Sequence, residues 1–510
     1  MKPLYKHNTD RTSGSTLIMT MLLLGVLAMS VAGYYRSLIP KYRSTYQGTS
    51  WHEALHGAEG GADYVLNTLN TWAATTSDPQ AYPWTTNNWT ITNALYSTNG
   101  ERTLNTASLP SLGGTNNVRV TKLAVDVYTR EATGSGATYN PWYRIRSTAR
   151  ADLPGKYVGT DKRDTELRRM KLAATTGSGL PDPHVTRTVE IIARPRYKAS
   201  RAITSLNDMS LGNSSNWRVD SFDSQDTAKS ATGTAAGGVY PGANSSKVQT
   251  NGSIATLKTN PASSPYGPLI SGNGAIVMGD VKTNGGDDQT TTAFENVSGS
   301  SNMDQSRISS DFDEDLPVPT APVWATWTYQ GAAPSTFVTG TKANPTRYAI
   351  TGNLGTFAVT SPALGIGYIE IIVTGNLSTG NGGSAGITIP PDVYATMWVN
   401  GNVDFGNGNI NSGSGSSKVA SHLTLYGVST AANPTYIASG NAEQVLTFYG
   451  PAYSATLSGT VETTGSFVVK NFSINGGGNG GFHYDEDLGR NTAIAGWEIA
   501  SYFEDSRGDL

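Results

Sequence analysis

The stretch Leu17–Ala32, LIMTMLLLGVLAMSVA, lies inside a run without charge from Thr12 to Tyr35, with Lys2, Lys6 and Arg11 before it and Arg36, Lys41 and Arg43 after it. An α-helix rises about 1.5 Å per residue, so this stretch with its uncharged shoulders spans a bilayer core of about 30 Å. No other segment of the chain has this character. One short span with a positive flank on its N-terminal side predicts that the rest of the chain is delivered outside the cytoplasm. Two readings of the span compete. A cleaved secretory signal would use the small-x-small site Ser30-Val31-Ala32 and leave a protein beginning at Gly33. A retained span would be a helical anchor.

Retention fits the residues that follow, because a helical pattern continues past that site. Trp51, Ala54, Leu55, Ala58, Ala62, Val65, Leu66, Leu69 and Trp72 recur at helical spacing and form one apolar stripe. Pro40 and Gly48 are expected to bend or interrupt the rod, since proline removes a backbone donor and glycine weakens helix interiors.

A basic leader, then Gly14-Ser15-Thr16-Leu17, a hydrophobic helix and Ala58-Glu59-Gly60-Gly61-Ala62-Asp63-Tyr64-Val65-Leu66 resemble the start of type IV pilin-like proteins, specifically the PilX-type pilus assembly proteins. The resemblance implies a basic leader 1–14 removed by a leader peptidase between Gly14 and Ser15. It implies an inner-membrane anchor through residues 15–35 and an anchor-plus-amphipathic helix over 15–75. Its implied partners are other pilin-like subunits and the pilus assembly machinery. Major pilins carry glutamate at the fifth mature position; this chain has Met19 there, as PilX-type members often lack that glutamate too.

Charged residues make up 15% of the chain, against about 25% in ordinary soluble domains, and 58 of its 510 residues are glycine. This suits an exported, repetitive β-rich body. With no cysteine there is no disulfide framework and no thiolate metal site. A net charge of −3 and a pI near 6.1 argue against a nucleic-acid-binding surface.

From about 116 to 196, strand-like runs alternate with polar loops. Val118–Thr121, Trp142–Thr148 and Thr186–Ile192 pair β-branched or aromatic residues with period-two polarity, as half-buried antiparallel strands do. The doubly charged stretch Asp161–Arg169 reads as a solvated loop or short helix. Residues 76–200 are therefore expected to form a small antiparallel β-rich head; a helix followed by such a sheet is the pilin-like arrangement the resemblance implies.

After Ser200 short apolar runs alternate with Gly, Asn, Ser and Thr. Four motifs repeat: Ile270-Ser271-Gly272-Asn273, Ile350-Thr351-Gly352-Asn353, Val373-Thr374-Gly375-Asn376 and Val399-Asn400-Gly401-Asn402. The last three open at intervals of 23 and 26 residues (350 to 373, 373 to 399). Such an interval predicts stacked turns of one supersecondary unit, with Gly-Asn redirecting the chain between short strands. Residues 201–482 are read as a right-handed parallel β-helix, with a long-looped β-sandwich as the competing reading. The fold class expected is mainly β with a long N-terminal α-helix, a small α+β head and this C-terminal β-helix. Residues 483–510 are expected to cap it, Thr492–Phe503 covering the last coil so that its edge is not left open.

Val219–Ser224, Val248–Ile254, Val468–Gly476 and Phe482–Leu488 resemble the C-terminal β-helical domain of bacterial PilX-type and related surface-exposed proteins, a family with no established enzymatic activity. The two resemblances together imply a bacterial envelope protein without cofactor, anchored in the inner membrane with a periplasmic or extracellular body. They imply a minor pilin or pilus-assembly role, with a surface or glycan ligand for the displayed domain.

Three chemical readings compete with that one. His52-Glu53-Ala54-Leu55-His56 matches the H-E-x-x-H zinc-protease signature, in which two histidines one helical turn apart share a metal and the glutamate activates its water. Glu59 and Asp63 share the face, but Glu59 and Ala62 break the metzincin continuation, and a solvated helix face is the simpler account. Asp311, Asp313, Glu314 and Asp315, or Asp485, Glu486 and Asp487, are oxygen-rich enough for calcium, yet match neither the EF-hand nor the nonapeptide spacing; charged loops account for both. A β-helical carbohydrate-active enzyme would need paired carboxylates in a cleft. Asp280, Asp287, Asp288 and Asp404 are available but form no constellation. Trp398, Tyr394, Tyr436 and Tyr449 would stack on sugars if exposed, though aromatics in a β-helix mostly stack inside. Arg507-Gly508-Asp509 reads as a chance tripeptide.

Overall fold

Ser13–Thr75 forms one helix of 63 residues, α1, about 95 Å long. The expected bend or interruption at Pro40 and Gly48 does not become a break: the helix runs without a gap across both residues. The chain is described by a computed structural model over residues 13–75, 89–92, 101–104, 109, 118–130, 140–152, 184–212, 217–259, 269–272, 274–284, 304–380, 386–475, 480–491 and 494–505. Asp161–Arg169, Asp287, Asp288 and Arg507–Asp509 fall outside the described residues.

The C-terminal half of α1 buries the small face its sequence carries. Ala54, Ala58, Ala62, Val65, Leu69 and Ala73 are buried against an antiparallel sheet. That sheet runs β1 (Trp89–Thr92), β2 (Glu101–Leu104), β3 (Val118–Arg130), β4 (Asn140–Asp152), β5 (His184–Tyr197) and, beyond β5, the C-terminal strand Ile494–Asp505. Helix and sheet approach closely because Gly57 and Gly61 have no side chain: a Cβ on Gly57 would lie 2.7 Å from Val118 Cγ1, and one on Gly61 would run into the Ser147 hydroxyl. The three predicted strand runs lie within β3, β4 and β5, each longer than its sequence signal.

The remaining body is a large parallel sheet of stacked turns, and its spatial order differs from its sequence order. A first arc climbs through Ile203–Ser205, Ile254–Thr256, Val281–Thr283 and Ile308–Ser309. A second climbs through Tyr329–Gly331, Thr346–Ile350, Gly367–Val373, Val393–Val399, Leu423–Gly427, Glu443–Ser458 and Glu462–Asn475. The top of the second arc pairs in parallel with the bottom of the first: Phe467 with Ile203, Phe472 with Met209, Phe482 with Val219. One register column therefore runs Tyr329, Tyr348, Ile371, Met397, Leu425, Phe448, Phe467, Ile203, Ile254, Val281, Ile308, crossing the join without a slip.

This topology obliges the chain to return from one end of the stack to the other between Ser309 and Tyr329. Parallel strands lie about 4.8 Å apart, so the ten steps of the column need about 48 Å, which twenty extended residues reach at about 3.3 Å each. Residues 311–328 are indeed without helix or strand, and carry Pro317, Pro319 and Pro322. Leu316, Ala321 and Trp324 of this return segment pack on the outer face of the sheet, against Trp398, Tyr426, Val428, Tyr449 and Val468.

The last three Gly-Asn motifs are one ladder. Asn353 Oδ1 accepts the backbone N–H of Asn376 at 2.9 Å, and Asn376 Oδ1 that of Asn402 at 2.8 Å. The glycines leave room for it, since a Cβ on Gly375 would sit 2.5 Å from Asn353 Oδ1. The fourth motif belongs elsewhere: Ile270 pairs with Met209, on another side of the stack.

The cap expected over 483–510 is absent from its place. Gly481–Asp485 is itself a strand of the stack, paired with Arg218–Phe222. Ile494–Asp505 leaves the stack and pairs antiparallel with β5. It buries Trp497 in the head core, and its pairing makes the stack an insertion between the last two strands of the head.

Candidate functional site: the exposed helix and the charged join

Leu17–Leu38 of α1 has a mean hydropathy of 2.1 and none of it is buried. Leu17, Ile18, Met19, Leu22, Leu23 and Leu24 are each exposed by 64% or more, an apolar surface with no partner among the described residues. Exposure on this scale, on a helix long enough to cross a bilayer, suits a lipid or subunit environment. Gly14 and Ser15 lie in the first turn of α1, immediately before it.

His52 and His56 are exposed on the second half of α1. His56 Nδ1 lies 3.1 Å from Glu59 Oε2, and Glu59 Oε1 accepts the Tyr502 hydroxyl at 2.9 Å. Among the described residues no group of three or more His, Asp or Glu is arranged to hold a metal.

The acidic stretch around Asp311 secures the return segment. Glu314 pairs with Arg201 at 2.8 Å, and the Arg201 guanidinium lies 4.6 Å over the buried Phe312 ring. The Ser309 hydroxyl holds the Asp311 carboxyl below the usual carboxylate range. Asp280 pairs with Arg307 at 2.8 Å, and Asp404 accepts a backbone N–H two residues on, from Gly406. These carboxylates are not brought together.

The aromatic residues are largely occupied. Tyr436 is interior, bonded to Gln444 Oε1 at 2.7 Å. Trp398 and Tyr449 face outward but lie under the return segment, with Trp324 5.8 Å from Trp398 and Tyr449 donating to Pro317 O at 3.0 Å. Tyr394 stacks on Tyr368 (5.4 Å, 11°) and meets His422 at a tilt (4.1 Å, 33°), so its ring is held between neighbouring turns. The surface needed for stacking on sugars is thus covered at all four.

A buried polar cluster lies at the join of the two arcs, in the stretch Phe482–Leu488 that carries the calcium candidates Asp485, Glu486 and Asp487. His483 is buried with Nδ1 2.7 Å from Asp220 Oδ1 and Nε2 2.6 Å from Glu462 Oε2. Tyr240 donates to Asp220 Oδ2 at 2.7 Å and stacks 3.5 Å from the imidazole. Burial alone would lower the His483 pKa; the hydrogen bonds to Asp220 and Glu462 and their charges outweigh it and raise the pKa above 6.5. Beside it, burial and then the Asp487 charge push the Asp485 carboxyl up to about 7. Asp220 lies 263 positions from His483, so no local motif marks the pair. A buried His held between two carboxylates is the one signal, and it exists only after folding.

A family described as a domain of unknown function (DUF7305) matches residues 355–491. That span begins just after the ladder's first rung at Asn353, runs through the rest of the second arc to the short helix Leu488–Asn491, and stops before the return to the head. No curated protein and no solved structure matches the chain.

Proposed function

We propose that this chain is a non-catalytic, envelope-anchored minor pilin or pilus-assembly subunit of the PilX-type kind, with its stack a parallel β-helix displayed outward for adhesion or assembly. The observation that carries the reading is the division of α1. Its first half is an unburied apolar rod over Leu17–Leu38, and its second half is packed into an antiparallel sheet through Ala54, Gly57, Ala58, Gly61 and Ala62. A subunit built this way is held by its N-terminal helix in the inner membrane or among the helices of other pilin-like subunits, while its head and stack project. Insertion of the stack between β5 and Ile494–Asp505 joins it to the head by two chain connections. Such a double connection suits a domain that must transmit load or hold an orientation.

N-terminal sequencing of the mature protein tests the reading. Cleavage after Gly14, leaving Ser15 first, is expected in cells with a prepilin peptidase, and a Gly14→Val variant should stay uncleaved. A mature chain beginning at Gly33 would remove the anchor and overturn the proposal.

A further inference from the structure

The two arcs meet through main-chain pairing, through apolar packing of Phe467, Phe472 and Phe482 with Ile203, Met209 and Val219, and through a charged cluster at one side of that core. Each arc contributes to it: Arg218 and Asp220 from the first, Glu462 and His483 from the second, with Tyr240 closing the face. Arg218 Nε lies 3.8 Å from Asp220 Oδ2, and Glu443, itself near Lys418, is the next charge toward the second arc. With a carboxylate against each ring nitrogen, the imidazole can donate on both sides only as the cation.

The neighbouring carboxyl is arranged the same way. Asp485 Oδ1 accepts the backbone N–H groups of Ser224 at 3.1 Å and Asp487 at 3.2 Å, while Oδ2 is buried with no hydrogen-bond partner. Asp223 and Asp487 flank it and share Arg490, at 2.7 and 3.6 Å. Glu486 is held by Ser221 and Asn251, at 2.9 Å each. The Ser224 hydroxyl and the two backbone donors favour the charged carboxylate, but burial and the Asp487 charge outweigh them, so this carboxyl is a place for a proton.

We propose that the join is a proton-controlled joint: a proton on His483 and one on Asp485 close the two arcs into one stack, and losing both opens the join while the second arc stays folded. The sign is the same for both groups. His483, raised in the folded state, contributes fully below pH 6.5 and loses that contribution as pH rises through its folded value. Asp485, raised from 3.8 to about 7, makes the join weaken as pH climbs through that interval. Deprotonated His483 would also leave Asp220 and Glu462 without the charge between them. The join is therefore tight in mild acid and loose in mild alkali.

Hydrogen exchange by mass spectrometry on the full chain in detergent micelles tests this, comparing pH 5.5 with 8.5 after correction for intrinsic rates. One pKa unit is tenfold, so protection of 218–224 and 481–487 is expected to fall at least tenfold while that of 346–350, away from both buried histidines, holds. Unchanged protection at the join, or equal loss in 346–350, overturns the proposal. Asp485→Asn should retain at least tenfold more protection than the parent at pH 8.5. Ser210 and Ser473 are register partners across the join, and the chain has no cysteine, so a S210C/S473C disulfide tests the same point without touching the charges. The oxidised pair should abolish the pH response; a response that survives in it would overturn the joint.

Discussion

Trp497 donates its backbone N–H to Asn70 Oδ1 over 2.6 Å, tying residues 427 positions apart. The same tryptophan is buried with its ring 5.4 Å from Tyr143. The C-terminal strand is thus part of the head core, and the head cannot complete itself until the inserted stack has been made.

Trp497→Ala should cost the head about 3–5 kcal/mol, and Asn70→Ala about 1 kcal/mol. Calorimetry on a chain of this build should resolve two transitions. The head transition should move and the stack transition should not. A fragment from 199 to 491 should keep the stack transition, while one from 202 to 510 would carry the unpaired strand 494–505 and aggregate. Equal shifts of both transitions in Trp497→Ala would mean that head and stack melt as one unit.

Gly61 and Ser147 fit each other across the helix–sheet contact, so Gly61→Ala should destabilise the head by about 1–3 kcal/mol through overpacking. Ser147→Gly in the same chain should restore part of it. The measurement is a double-mutant cycle on the head transition, and strict additivity would remove the contact as the cause.

Asn376 accepts from Asn402 while its own N–H is bonded to Asn353, so it is the middle rung of the ladder. Asn376→Ala should cost about 1 kcal/mol for the lost hydrogen bond. Gly401→Ala should cost more, because its Cβ would crowd Asn376 Oδ1 and the Gly375 carbonyl. Chemical denaturation of the 199–491 fragment would order the two, and a milder Gly401→Ala would show that the coil can shift to admit a methyl.

That ladder was legible because its spacing is the chain length between successive parallel strands, and each Asn accepts the N–H of the next. The order of the turns was not legible. Repeat spacing tells that turns stack, not which turn lies on which, and the pairing of Phe467 with Ile203 is made by apolar residues that any neighbouring coil also offers. The apolar stripe of α1 was readable for the same local reason as the ladder. The role of Ile494–Asp505 was hidden, since a tail rich in apolar residues serves as lid or edge strand equally well until β5 is present. Trp398 and Tyr449 read as exposed or interior, and the return segment provides a third place between those alternatives.

His52 and His56 sit on an exposed helix face, with Glu59 committed to Tyr502. Replacing both histidines with Gln should leave the head transition within about 0.5 kcal/mol of the parent, as surface substitutions do. Elemental analysis of the purified protein should give the same zinc content before and after. Stoichiometric zinc lost in the double variant would instead establish a metal site on α1.

His422 titrates against the join. Burial lowers its pKa to about 4, Nδ1 is buried without a hydrogen-bond partner, and the ring packs at a tilt against Tyr394. A histidine depressed on folding binds more protons when unfolded, so its coil is most stable above pH 6.5 and weakens as pH falls toward 4. The ceiling on that loss is about 3 kcal/mol, at 1.36 kcal/mol per pKa unit. Hydrogen exchange at 420–427 should therefore quicken in acid, over a range where the join at 481–487 gains protection. His422→Phe should flatten the acid response at 420–427 and leave the join's response untouched. If instead both sites lost protection together in acid, the stack would be opening as one body, and the two buried histidines would not be acting on separate parts of it.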